Sequence, residues 1–244
     1  MKKYPPIFFI FFISLVNAQN FNVIPFNGKS HECSITSVPH AEVGFNISIG
    51  DILVIPQAAG KDTYIDLQVQ GFQNNRLTGY PNLPVINRLI EIPLDADIKV
   101  KIISYEEEIN DLADYGIIRQ IAPKQPPVSK SSSGDKKKPV INTEIYNTDA
   151  FIDIPVVQTD DLGIMRSIRL ARVTIAPIKY NPVTNRLKVL NNLKVKILFK
   201  HPAAKKTGEL KKKLYSPYFE KVFNSIVNYS GDNGKSNFTR YPVS

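Results

Sequence analysis

The chain has no tryptophan, one cysteine, two methionines and three histidines in 244 residues. The lone Cys33 excludes an intramolecular disulfide, so stability has to come from packing. Without tryptophan, the flat aromatic platform that sugar-binding modules favour is in short supply. Glycines are scattered, and none form a phosphate-cradling loop ahead of a helix. There is no internal repeat. Beyond the N-terminus no apolar run approaches the ~20 residues that cross a bilayer. Positive charge is in excess, at a formal +9, but much of it sits in two short runs, Lys136 to Lys138 and Lys205 to Lys213. Neither run is accompanied by an RNA-binding aromatic signature or a helix-turn-helix pattern. They read as solvated loops open to proteases, and nucleic acid is not an expected partner.

What is present begins with Lys2 and Lys3, a run of apolar residues over 7–16 (IFFIFFISLV), and then Val16-Asn17-Ala18. This is the basic, greasy and small-residue order of a secretory signal, with cleavage expected between Ala18 and Gln19. The expected product is an exported chain, periplasmic, surface-located or secreted, with no membrane attachment once residues 1–18 are removed. At 43% hydrophobic residues it has material for a real core.

Period-two alternation recurs. Ile65, Leu67 and Val69 alternate with Asp66, Gln68 and Gln70; Ile98, Val100 and Ile102 with Lys99 and Lys101; Leu193, Val195 and Ile197 with Lys194 and Lys196. Each pattern predicts a strand with one buried face. Further β-prone runs lie at 47–55, 85–92, 151–157 and 168–178, and Asn181 to Asn185 supplies a hairpin turn. The fold class expected is mainly β, sandwich-like, with one C-terminal amphipathic helix. That helix would start at Ser216 and Pro217 and present Phe219, Val222, Phe223, Ile226 and Val227 on one side. A short helix at 106–115 is a weaker expectation. Residues 123–140 and 201–213 read as exposed connections, and 230–240 as a polar tail.

No catalytic constellation emerges. Cys33 lies near His31, Glu32 and His40, but the spacing matches no structural zinc pattern and is one ligand short of a closed set. A nucleophilic thiol also needs a base and an oxyanion hole. Glu106, Glu107 and Glu108 read as a solvated run. No catalytic, cofactor-binding or metal-binding residue is assigned, and no cofactor is expected.

Four segments in order resemble the propeptide of the gingipains, the secreted cysteine endopeptidases of the Bacteroidetes type. They are Gly79-Tyr80-Pro81-Asn82-Leu83-Pro84 with the strand to Ile92-Pro93; Ile121-Ala122-Pro123-Lys124-Gln125; Ala176 to Thr184 with the strand that follows; and the terminal helix leading through Asn228-Tyr229 to Thr239-Arg240-Tyr241-Pro242-Val243. The resemblance covers roughly residues 45–244.

The resemblance implies a β-rich prodomain over 19–240 that covers the cleft of a cysteine peptidase domain, with 241–244 the first residues of that domain. It implies a maturation bond at Arg240–Tyr241, and a basic side chain just past the second element that enters the substrate pocket. In this chain that position falls on Lys130, a lysine where the arginine-specific enzymes carry arginine. The catalytic histidine and cysteine of such an enzyme would lie past Ser244, so this chain is expected to carry no catalysis. A free-standing exported β-sandwich for glycans or surface proteins is the alternative.

Overall fold

The structure is a computed structural model and describes residues 22–27, 32–59, 62–127 and 139–229. In chain order the elements are β1 (Asn22–Pro25), β2 (Glu32–Val38), β3 (Glu42–Ser48), β4 (Asp51–Ala59), β5 (Asp62–Gln68), β6 (Gln73–Asn74), β7 (Pro84–Ile92) and β8 (Asp97–Asp111). Then come α1 (Thr143–Tyr146), β9 (Val157–Met165), β10 (Ile168–Ile175), β11 (Ile178–Asn181), β12 (Arg186–Lys200), α2 (Ala204–Leu214) and α3 (Glu220–Phe223). The mainly β, sandwich-like class is what the alternation predicts.

The strand β12 organises the molecule. Its alternate residues Leu187, Val189, Asn191, Leu193, Val195, Ile197 and Phe199 are all buried, whereas their neighbours, apart from the buried Leu190, are charged, amide or partly exposed. It pairs antiparallel with β8 along its whole length, and on its other edge with β11 and then β3, beyond which lies β2. Two smaller sheets cover the inner side of this long one. The β1-β4-β5 sheet shares a core with Tyr180, Leu187 and Val189, and the β6-β7-β10-β9 sheet shares another with Leu193, Val195 and Ile197.

Asn191 falls between the two cores and is fully buried. The chain leaves β3 for the other layer here, so Ile49 has no strand partner. The Asn191 amide takes that place: Ile49 N–H donates to Oδ1 (2.9 Å), and Nδ2 donates to Ile49 O (2.9 Å) and to Glu108 Oε1 (2.9 Å). A buried amide with its bonds satisfied is tolerated, and here it marks where the layers divide.

Four local expectations are corrected. Residues 106–111 continue β8, and only Leu112–Tyr115 turn helically, as a single 3-10 turn. Cross-strand partners override local propensity: Glu107 pairs with Lys188 (2.7 Å), and Glu106 accepts from Asn192 Nδ2 (2.7 Å). The run 151–157 is irregular until Val157 opens β9. The connection 201–213 is largely the helix α2, held to the strand layer by Thr207 Oγ1, which accepts from Leu94 N–H (2.9 Å). The terminal helix is shorter than expected, a 3-10 turn at Pro217–Phe219 followed by α3, and the Ser216 side chain caps nothing. Of the expected apolar side, Phe223 and Ile226 are buried against Ile168 and Leu170 of β10 and Phe219 and Val227 are partly buried, but Val222 is exposed.

Candidate functional site

The first two motif segments meet. Gly79 N–H donates to Lys124 O (2.8 Å), Lys124 N–H to Tyr80 O (2.7 Å) and Asn82 N–H to Ala122 O (2.8 Å). On its other side, Ala122 N–H donates to Ile65 O (2.8 Å) and Ile65 N–H donates to Gln120 O (3.0 Å), which ties the second segment to β5. Gly79 sits at φ +82°, and a Cβ there would lie 3.1 Å from the backbone nitrogen of Asn142. Both the left-handed backbone and the close approach require glycine. Gly79→Ala is therefore expected to cost about 1–3 kcal/mol, read as a lower urea midpoint, and an unchanged midpoint would remove the requirement.

From this root springs the connection 126–139, and its two ends are fastened to each other. Gln125 Oε1 accepts from Val140 N–H (2.9 Å), and Gln125 Nε2 donates to Val140 O (3.1 Å) and to Pro123 O (2.9 Å). One side-chain amide thus does what a strand neighbour would do for Val140. Asn142 follows, its N–H donating to Gly79 O (3.0 Å) and its Oδ1 capping α1 at Ile145 (3.2 Å). Tyr146 then returns to donate its hydroxyl to Ile121 O (2.7 Å), and the Tyr180 hydroxyl donates to Asn185 Oδ1 (2.6 Å). Burial pushes both phenols well above the ordinary tyrosine value, so both stay neutral donors. The root is thereby fixed by neutral hydrogen bonds that pH in the physiological range does not touch.

A second fastening lies where the chain runs on past Tyr229. Asn228 Oδ1 accepts from Glu91 N–H (2.7 Å) and its Nδ2 donates to Glu91 O (2.9 Å), while Val227 N–H donates to Leu89 O (3.0 Å). The end of the described chain so completes the edge of β7. The Glu91 carboxylate is buried and paired with Lys211 of α2 (2.6 Å), whose ammonium also stands over the Tyr229 ring. Burial raises the Glu91 pKa, with Lys211 and more weakly His40 opposing.

Cys33, the second residue of β2, stands opposite Ile47 and packs against the second core. Burial raises its pKa, with Arg88 opposing, which is the reverse of what an activated thiolate needs. His40 is in the turn after β2, seven residues farther on, past the strand end at Val38, which is itself roughly 17 Å from Cys33 at strand rise. His31 is outside the described residues. Among the described residues no cluster of three or more His, Cys, Asp or Glu could hold a metal.

Lys130, Arg240 and Tyr241, together with Ala18 and Gln19, lie outside the described residues. The structure does show the places from which the chain leads to them, Asn22 for Ala18 and Gln19, Pro127 for Lys130, and Tyr229 for Arg240 and Tyr241. Sequence reasoning missed the amide fastenings. Gln125 and Asn228 both fall in the motif segments, but their partners Val140 and Glu91 carry no distinguishing signal, because backbone groups do the bonding.

A family model described as Propeptide_C25 matches residues 66–238. The chain belongs to that family. Lys-gingipain of Porphyromonas gingivalis is 29% identical over 196 residues, which is 80% of this chain and 11% of the relative. Gingipain R2 of the same organism is 28% identical over 153 residues, 62% of this chain and 20% of the relative. The chain thus spans only about a tenth to a fifth of the length of these relatives. Among solved structures, one on the zymogenic latency of gingipain K from Porphyromonas gingivalis matches with a TM-score of 0.68 and 27% identity, covering 74% of this chain and 98% of that one. A complex of the Porphyromonas gingivalis RgpB pro- and mature domains shares the fold, with a TM-score of 0.59 and 19% identity over 75% and 95% of the two chains. This is a gingipain-type propeptide. The Propeptide_C25 match contains both halves of the loop root and both fastened amides, Gln125 and Asn228.

Proposed function

We propose that this chain is the latency propeptide of an exported gingipain-type cysteine peptidase, which it binds and restrains until it is cut away. The observation that carries the reading is the loop root. Two motif segments are folded onto each other, and the stem of 126–139 is clamped by the Gln125 amide. A loop held at its base can enter a cleft with less ordering left to lose on binding. Leu77, Ile118, Val140 and Ile141 are exposed near the root, Ile118 at 85%, and give a partner apolar surface to rest on.

Lys130 is the side chain that enters the substrate pocket, residues 19–240 are the inhibitory unit, and Arg240–Tyr241 is the bond cut on maturation. Every cation in 126–139 is lysine, namely Lys130, Lys136, Lys137 and Lys138. A pocket that accepts this loop as a substrate mimic is therefore lysine-directed. Export follows from the signal-like residues 1–18.

The test adds the purified chain to its cognate mature peptidase and follows cleavage of lysyl and arginyl substrates. Inhibition with lysyl preference is expected. Lys130→Ala should weaken it strongly. Gln125→Ala should weaken it by about tenfold through the cost of ordering a slack loop, while the melting temperature stays nearly unchanged. Inhibition untouched by both variants places the contact elsewhere; no inhibition by the wild-type chain overturns the reading.

A further inference from the structure

The inner side of the long sheet faces the cores; its outer side is covered by Phe151 at Lys188 and left partly exposed toward β2, β3 and the first half of β8. Strand register places two polar rows there. Ser34, Asn46, Lys194 and Ser104 stand side by side across β2, β3, β12 and β8, and Thr36, Gly44, Lys196 and Lys101 form the next row. Glu42, Leu198 and Lys99 follow beyond. Lys101 and Lys196 are direct cross-strand partners, an arrangement of like charges that works against strand pairing. Lys196 is partly offset by Glu42 (2.7 Å), but among the described residues Lys99, Lys101 and Lys194 form no ion pair.

The rows enclose a hollow. Gly44 has no side chain there, and a Cβ would come within 2.6 Å of Thr36 Oγ1. The register between β8 and β12 shifts at Lys194, so that Ile103 and Ser104 together stand where one residue would. The result is a hollow of about 160 Å³ lined by Ser34, Thr36, Gly44, Asn46, Ile103 and the stems of Lys194 and Lys196. Its floor is carbon, and its rim is hydroxyl, amide and ammonium. That combination suits a sugar ring lying on the floor with acidic groups reaching the lysines.

We propose that this outer sheet side binds an anionic polysaccharide, with a ring over Ile103 beside the Thr36 hydroxyl that fills the space at Gly44, and its carboxylate or sulfate groups on Lys101 and Lys194. Charge complementarity fixes the sign of the ligand. The rim of Ser34, Thr36 and Asn46 argues for a hydroxyl-rich chain over an acidic protein, which would bring few neutral donors to meet it. Phe45 contributes to the lining but is only 2% exposed and packs into the second core, so a base would find no ring to stack on. The site shares no residue with the loop root.

Binding of the full chain to dextran sulfate, to neutral dextran and to polyglutamate is measured by calorimetry at low salt. Dextran sulfate is expected to bind, neutral dextran is not, and polyglutamate is expected to bind more weakly. Lys101→Gln with Lys194→Gln should lower the dextran sulfate affinity by roughly tenfold or more. Lys212→Gln with Lys213→Gln on α2 removes the same charge elsewhere and should leave it almost unchanged. Equal losses in both double variants reduce the effect to net charge and overturn the site. Polyglutamate binding as tight as dextran sulfate, with the same sensitivity to Lys101 and Lys194, overturns the polysaccharide and makes the surface one for acidic proteins.

Discussion

Lys211→Met is expected to destabilise the fold by about 3–5 kcal/mol at pH 7, because it leaves the buried Glu91 carboxylate without its counter-charge. Both side chains are nearly out of solvent, at 8% exposure for Glu91 and 13% for Lys211, so water cannot replace the lost partner. Glu91→Gln removes the charge as well as the pair and should cost far less. The effect carries a pH signature. Burial raises the Glu91 pKa above its unfolded value, so the native state holds that proton more tightly. Its contribution is then fully present below the unfolded value and is lost as pH rises through the folded one.

Removing Lys211, which opposes the shift, raises the Glu91 pKa further. The deficit of Lys211→Met relative to wild type should therefore shrink between pH 7 and pH 5. Asp160 and Asp161 act in the opposite sense. Their pKa values are lowered first of all by hydrogen bonds from Arg172 and Arg169, so their contributions fade as pH falls. Both carboxylates are partly exposed and their pairs contribute little, and they cancel in the comparison of variant with wild type. Urea midpoints at the two pH values check this; a deficit that grows on acidification contradicts the buried-pair account.

Asn191→Leu should lower the melting temperature by roughly 10 °C. Leucine fills the volume but leaves Ile49 N–H and C=O unpaired between two cores, at about 1–3 kcal/mol for each buried group. The loss should spread to β8, since Asn191 also holds Glu108, which accepts from the Asn27 N–H. Amide exchange would then quicken at Ile49 and near the β3–β4 switch. A melting temperature unchanged within 2 °C of wild type would falsify the bridging role.

The two amides at the edges of the fold follow the same logic. Gln125 serves Val140, and Asn228 serves Glu91. In all three places one side-chain amide offers a donor and an acceptor at the spacing of a neighbouring strand. A backbone group without a ladder partner is thereby satisfied without adding another strand.

The strands β5, β8 and β12, the turn at Asn181 to Asn185, and the buried positions Phe223 and Ile226 were legible in the sequence, although the expected buried side of β8 is only half-buried at Ile98 and Val100, and Ile102 is exposed. They depend on neighbours two to four residues apart, and hydrophobic periodicity reports such neighbours directly. The motif segments of the loop root were legible as segments, but not as a root. The helix α2 was not legible, since its lysines look like a solvated run until Lys211 meets Glu91, 120 residues away. Nor was the extension of β8 through Glu106, Glu107 and Glu108, whose acidity reads as helical or solvated until Lys188, Asn191 and Asn192 lie alongside.

By itself the sequence determined a β-rich core without disulfides and a resemblance to gingipain propeptides, and it carries the pattern from which export is proposed. These rest on local pattern and composition. Only the tertiary structure decided which loop is clamped, where the two cores divide at Asn191, and that Lys101 and Lys196 stand opposite each other. Those depend on strand register and on buried polar pairs between distant residues. A one-residue slip in register would turn every such side chain to the other side of the sheet.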